Sequence, residues 1–154
     1  AGSGIILTAD GLVATASRLV PADSEVAVTY RDETLQATVV RRDEARGLAL
    51  LKIPGGTLPV AGLMRFDEVR LGERVLAVGG SRRGGRASFS VTDGVVSRVR
   101  DDGMTVALIP ARELPAGAAV AALDGNVVAI VESVVAGDVA VADSRSIEAL
   151  LAGR

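Results

Sequence analysis

The 154 residues include no histidine, no cysteine and a single lysine, Lys52. That choice of residue types removes most of the side chains that do chemistry in proteins. Histidine is the commonest general base near neutral pH, and without it only carboxylates, Lys52 or backbone groups are left to move a proton. Without imidazole or thiolate, the usual zinc, copper, iron and nickel sites lose their preferred ligands. The acidic pairs Asp67-Glu68 and Asp101-Asp102 lack the spacing of a dedicated cation cage, so neither metal nor cofactor is expected. Ser3, set between glycines, and Ser17 are nucleophiles by type, and Lys52 with a serine can form a Ser-Lys dyad. No base stands beside either serine, so both read as ordinary strand-end residues, and Lys52 reads as a surface lysine closing an aliphatic strand. Arg82-Arg83-Gly84-Gly85-Arg86 is a candidate anion or partner contact, because guanidinium groups and glycine N–H groups both suit an acidic ligand. A solvated hairpin loop is the plainer reading of that stretch.

The elements that position these residues are short aliphatic runs between turn signals. GIIL (4–7) and LVATA (12–16) flank an Asp-Gly turn, and VAVTY (26–30) and LQATVV (35–40) flank a second hairpin. LALLKI (48–53), RVLAVG (74–79), ASFSV (87–91), GVVSRV (94–99), MTVALI (104–109), AVAAL (119–123), NVVAIVES (126–133) and DVAVAD (138–143) follow. Valine-rich strands this closely spaced predict an all-β sandwich or pair of barrels. Only Ser144 to Leu151 reads as helix, with Asp143 or Ser144 as N-cap and Ile147, Leu150 and Leu151 on one face. The Pro/Gly-bearing stretch Pro54–Asp67 parts an N-terminal half from a C-terminal half. With 49% hydrophobic but 2% aromatic residues, the core must be built of Val, Leu, Ile and Ala. A net charge of −2 offers no footprint for nucleic acid, and no apolar run is long enough for a membrane-spanning helix. The chain begins abruptly at Ala1-Gly2-Ser3-Gly4, inside a strand entry, as a processed or truncated chain would.

In order and spacing these pieces resemble the chymotrypsin-like protease domain of the HtrA/Deg family. "GSGIILTADGLVATASRLV" is similar to that family's opening hairpin, whose strand ends Thr-Asn-Asn-His-Val-Val. "ATVVRRDEARGLALLKI" resembles the strand, loop and strand that carry the catalytic Asp directly before Leu-Ala-Leu-Leu-Lys. "RLGERVLAVGGS", "VTDGVVSRV" and "LDGNVVAI" resemble the Gly-Asp-x-Val-x-Ala-Ile-Gly-Asn-Pro, Val-Thr-x-Gly-Ile-Val-Ser and Leu-x-Gly-Glu-Val-Ile-Gly-Ile segments. The resemblance implies two six-stranded β-barrel halves in a double barrel, with shortened loops and a short C-terminal helix. It implies one domain over 1–154: an N-terminal barrel over about 1–60, a C-terminal barrel over about 68–143 and a helix over about 144–152. The regulatory loop shrinks to Arg100-Asp101-Asp102-Gly103, and the loop that helps form the specificity pocket to Val135-Ala136-Gly137-Asp138.

Carried over residue by residue, the catalytic His falls on Arg18, the Asp on Gly47 and the nucleophile on Ala116. A methyl group cannot attack, a guanidinium is permanently protonated, and glycine has no side chain to orient anything. At the oxyanion hole Leu114 and Pro115 replace the usual glycine-containing peptide, and Pro115 has no N–H to donate. The expectation is a catalytically inactive HtrA-like domain, a pseudoprotease, acting as a protein-interaction or scaffolding module. The alternative is a regulatory or chaperone-like subunit that binds unfolded clients or an active homologue. Expected partners are a protein offering an extended peptide, or a homologous protease, with no nucleic acid and no membrane segment in this chain. The resemblance implies an extracytoplasmic setting, the bacterial periplasm or a membrane-anchored form.

Overall fold

In the computed structural model, which describes residues 1–109, 114–136 and 138–154, eleven strands form two antiparallel sheets. Gly137 of the shortened loop lies outside the described residues. The first sheet holds β1 (Gly4–Ile6), β2 (Leu12–Ala16), β3 (Val26–Tyr30), β4 (Glu33–Asp43) and β5 (Leu48–Lys52), in the order β1-β2-β5-β4-β3. The second holds β6 (Arg74–Arg83), β7 (Arg86–Arg100), β8 (Gly103–Ile109), β9 (Ala119–Ala122), β10 (Val127–Val135) and β11 (Asp138–Asp143), in the order β11-β10-β9-β6-β7-β8. Its edge strands β11 and β8 pack beside each other, so this sheet curls into a barrel.

The first barrel has five strands where six were expected. Between Ile53 and Arg74 the chain carries Pro54, Gly55, Gly56, Pro59 and Gly62, and it forms only an isolated bridge, Leu63 with Val127, and a 3-10 turn at Phe66–Glu68. Proline has no N–H for a ladder, and glycine gains little from extended pairing. The segment instead stitches the halves together: Ala61 N–H donates to the Ile6 carbonyl at 2.9 Å, Met64 N–H donates to the Val127 carbonyl at 2.9 Å, and Val127 N–H donates to the Gly62 carbonyl at 2.8 Å. A second difference is that ASFSV and GVVSRV are one continuous strand, β7, paired with β6 along its whole length from Arg74–Val95 to Arg83–Arg86.

Alternation along the strands divides the core into three parts. From β2 and β5, Val13, Ala49 and Leu51 point into the first barrel with Val20 and Ile53. The intervening Ala14, Leu48 and Leu50 point the other way, into a seam shared with Val127 and Ile130 of β10. Helix α1 (Ser144–Ala152) closes that seam with Ile147 and Leu150; the Asp143 side chain caps it on Ser146 N–H at 3.2 Å, and Gly153 ends it in the left-handed region. Leu48, Leu50, Ile130, Ile147 and Leu150 are fully buried there. Each such burial contributes about 1.5–3 kcal/mol, enough to hold the two barrels as one body and fix the cleft between them. Val75, Ala77, Val96, Val120 and Val128 fill the second barrel.

Candidate functional site

Arg18, Gly47 and Ala116, the positions to which the sequence resemblance assigns the triad, lie where the barrels meet. β2 runs directly into a 3-10 turn, Ser17–Leu19, which holds Arg18 exposed at its centre. Ser17 N–H donates to the Gly47 carbonyl at 2.9 Å, so the turn bearing Arg18 is tied to the residue just before β5. Gly47 has φ +69° and follows a turn closed by its own N–H on the Glu44 carbonyl at 3.1 Å. Only glycine takes that backbone without strain, and a side chain here would also find the space occupied. A Cβ on Gly47 would stand 2.4 Å from Oε2 of Glu132.

Glu132 comes from the other barrel. It is the extra residue at a bulge in β10, between the pairs Val131–Val141 and Ser133–Ala140, and bulges re-aim a side chain out of the regular alternation. Its carboxylate therefore occupies the volume that a side chain at 47 would take. The group is half-buried and makes no hydrogen bond or ion pair with a described residue. Burial raises its carboxyl above the ordinary value. Sequence reasoning passed over Glu132; the one available signal was a carboxylate interrupting the aliphatic run Val127–Val131.

The third position sits on a firmly tied loop. Leu114 is buried in the second barrel's core, while Pro115 and Ala118 pack over Gly79 of β6. Gly117, at φ +81°, donates to the Val131 carbonyl at 2.7 Å, and Val131 N–H returns a bond to Ala118 at 2.9 Å. Ala118 N–H turns back to the Pro115 carbonyl at 3.2 Å. The Ala116 carbonyl accepts from Ser3 N–H at 2.9 Å. Ser3 itself is fully engaged: its hydroxyl donates to the Gly80 carbonyl at 2.7 Å and accepts from Gly80 N–H at 2.6 Å, and its carbonyl takes the Thr15 hydroxyl at 2.5 Å. It is a brace between the loop, β2 and β6, its hydroxyl proton committed to the Gly80 carbonyl.

Lys52 lies away from these groups. It pairs with Asp10 at 3.3 Å and also donates to the Asp10 carbonyl, across the β1–β2 turn. Arg82, Arg83 and Arg86 stand at the tip of the β6–β7 hairpin, whose two-residue turn Gly84-Gly85 has φ +56° and +79°. Arg82 folds back on the Gly85 carbonyl at 3.0 Å, whereas Arg83 and Arg86 face each other in the pairing and are exposed.

The structure has two open features. A groove of about 970 Å³ runs between β3 on one side and Val78–Arg82 with Phe89 on the other, floored by Gly2, Ser3 and Ile5. Beyond Ile130, whose partner is Ala119, β10 pairs only with β11 among the described residues, so its stretch from Glu132 to Val135 has one edge on which no described strand lies. Among the described residues, no cluster of His, Cys, Asp or Glu has a metal-holding arrangement, and no helix is long and apolar enough to cross a membrane.

The comparisons agree with this geometry. A family model described as a trypsin-like peptidase domain matches residues 2–130. A probable periplasmic serine endoprotease, DegP-like, of Ectopseudomonas mendocina is 41% identical over 97 residues, 62% of this chain and 20% of that protein. The protein of the same description from Hahella chejuensis is 37% identical over 97 residues, with the same coverage. The chain thus spans about a fifth of the length of the curated relatives it matches. Among solved structures, the HtrA-type protease AlgW with a decapeptide superposes at a TM-score of 0.78 over 97% of this chain and 50% of that one, at 24% identity, a likeness of fold.

Proposed function

The chain belongs to the trypsin-like peptidase domain family, as a domain of HtrA/Deg type, and on that premise we propose that it works without catalysis, as an interaction or scaffolding module that holds an extended segment of a partner protein. The observation that carries this reading is the residue set at the three triad-equivalent positions: Arg18, Gly47 and Ala116, in a chain with no histidine at all. A protease of this design needs a hydroxyl to attack, an imidazole to take its proton and a carboxylate to orient that imidazole. Removing one core member costs roughly a millionfold in kcat in a comparable enzyme. Supporting the reading is a strand edge, Glu132–Val135, that has no partner strand on one side among the described residues, the arrangement to which a peptide adds as a β-strand. An HtrA-type relative by fold is known with a decapeptide, which supports a peptide as the occupant. An extracytoplasmic setting belongs to the same reading, since the relatives are named periplasmic. Incubation with unfolded casein should give no cleavage above a buffer control, and Ala116→Ser should not change that. Turnover that copurifies with the folded domain through successive chromatographic steps sinks the proposal.

One observation favours a regulatory or chaperone-like subunit as the second reading. On the outer face of β6 and β7, Val78 stands opposite Val91 with Phe89 on the adjacent diagonal, and Phe89 and Val91 are 80% and 64% exposed. Exposed apolar groups in contact mark sites for unfolded clients or homologous subunits. Under this reading, the domain suppresses light scattering by an aggregating client and Phe89→Ser abolishes the effect; no suppression at a several-fold molar excess removes it.

A further inference from the structure

A carboxylate held half-buried with no counter-charge destabilises the fold that holds it, unless something external completes it. Among the described residues no counter-charge meets Glu132, which is half-buried. The neighbouring acid shows the contrast: Asp43 is met by Arg46 at 2.5 Å, and burial leaves it no comparable need. Arg46 is thereby spent, its guanidinium shared between Asp43 and the Arg154 carbonyl. Arg18, one residue along from the Ser17–Gly47 bond, points to solvent and pairs with no described residue. Gly47 contributes no side chain to cover the carboxylate from the facing wall. Among the described residues, the residue that the bulge aims into this corner also begins the edge of β10 that no strand covers, since the pairing with β9 ends at Ile130. A group with these properties at a cleft is a recognition candidate on physical grounds.

We propose that Glu132 receives a lysine or arginine side chain of the peptide segment that lies along the free edge of β10, so that the partner is basic at the residue crossing the Gly47–Glu132 corner. The inference rests on the strand-addition reading above and specifies its chemistry. An ammonium or guanidinium there makes a charge-assisted hydrogen bond to a carboxylate already partly stripped of water. Among the described residues, none forms a hydrogen bond or ion pair with that carboxylate.

The test uses short fluorescent peptides with an apolar, strand-forming background, in which a single arginine is moved along the sequence. Each is matched by a peptide with citrulline, the neutral isostere, at the same place. Anisotropy titration of the wild-type domain should show one arginine position preferred over its citrulline counterpart by about 10-fold or more. Glu132→Gln, checked for native circular dichroism, should bring the arginine peptide down to the citrulline affinity while leaving citrulline binding unchanged. Equal affinities for arginine and citrulline at every position, or a preference that survives Glu132→Gln, overturn the inference and leave strand addition standing. Failure of every peptide to bind overturns both.

Discussion

The two walls of the inter-barrel cleft have been treated differently. On one, the loop Leu114–Ala118 lacks any reactive side chain, yet its backbone is bound at every step, through Ser3, Val131 and Pro115. On the other, the corner of Gly47 and Glu132 has a glycine and a carboxylate supplied from the opposite barrel. The difference separates what the barrels need from what a catalyst needs. Hydrogen bonds from Gly117 to Val131 and from Ser3 to Ala116 close the second barrel against the first, so they hold whatever side chain position 116 carries. The exposed side chain of Arg18 is under no such constraint, whereas at 47 the backbone at φ +69° and the Glu132 carboxylate suit glycine alone.

The sharpest way to break that comparison is at Gly117. A Cβ there would come within 1.7 Å of the Ser3 carbonyl oxygen, a backbone atom that cannot move without undoing the brace. The backbone is also at φ +81°, which alone costs a non-glycine residue about 1–2 kcal/mol. Gly117→Ala should therefore lose about 3 kcal/mol or more in denaturant unfolding; a loss under about 1 kcal/mol would show that the loop backbone is not the load-carrying part of this wall. A smaller effect is expected at the other wall. Gly47→Asp places a second carboxylate against Glu132, and like charges in contact add to the clash. We expect a loss of about 2 kcal/mol, falling to about 1 kcal/mol when Glu132→Ala is made as well. Additive losses in that cycle would mean that Glu132 does not occupy the space in front of residue 47.

The walls were also unequally legible in the sequence. The order of strands could be read because turn chemistry marks most of their ends. Asp10-Gly11 and Asp124-Gly125 are turns, with their glycines at φ +107° and +89°. The same dipeptide at Asp93-Gly94 misleads, because it lies inside β7. There Asp93 pairs with Leu76 and is held by Arg74 at 3.1 Å. Gly94 is needed for a close approach, since a Cβ on it would stand 2.4 Å from the Ala107 carbonyl. Sequence shows that a glycine is present, and only the fold shows which need it meets. Arg18, Gly47 and Ala116 could be proposed as the triad positions from their linear spacing to such turns. Glu132 could not be found that way, because its approach to Gly47 depends on a bulge, and one added residue in a ladder has no compositional mark.

The mildest test concerns that carboxylate alone. Burial raises the Glu132 carboxyl above its ordinary 4.5, so the folded protein keeps a proton that the unfolded chain has already released. Across that interval, stability falls as pH rises. Below the unfolded pKa both states are protonated and the residue is neutral in effect; above the folded pKa the whole penalty is present. Asp43 runs the opposite way. Its hydrogen bond from Arg46 lowers its carboxyl, so its contribution is present at neutral pH and is lost as pH falls through the lowered value. Glu132→Gln should accordingly stabilise the domain at neutral pH by a fraction of a kcal/mol, a small gain because the group is partly solvated and screened. The gain should shrink toward zero on acidification below the ordinary glutamate range, as read by thermal melts of both proteins at matched pH. A stabilisation that persists in acid would place its origin in packing. A destabilisation at neutral pH would mean that an internal cation does satisfy Glu132, and the corner would then be a closed ion pair with no place left for a partner's charge.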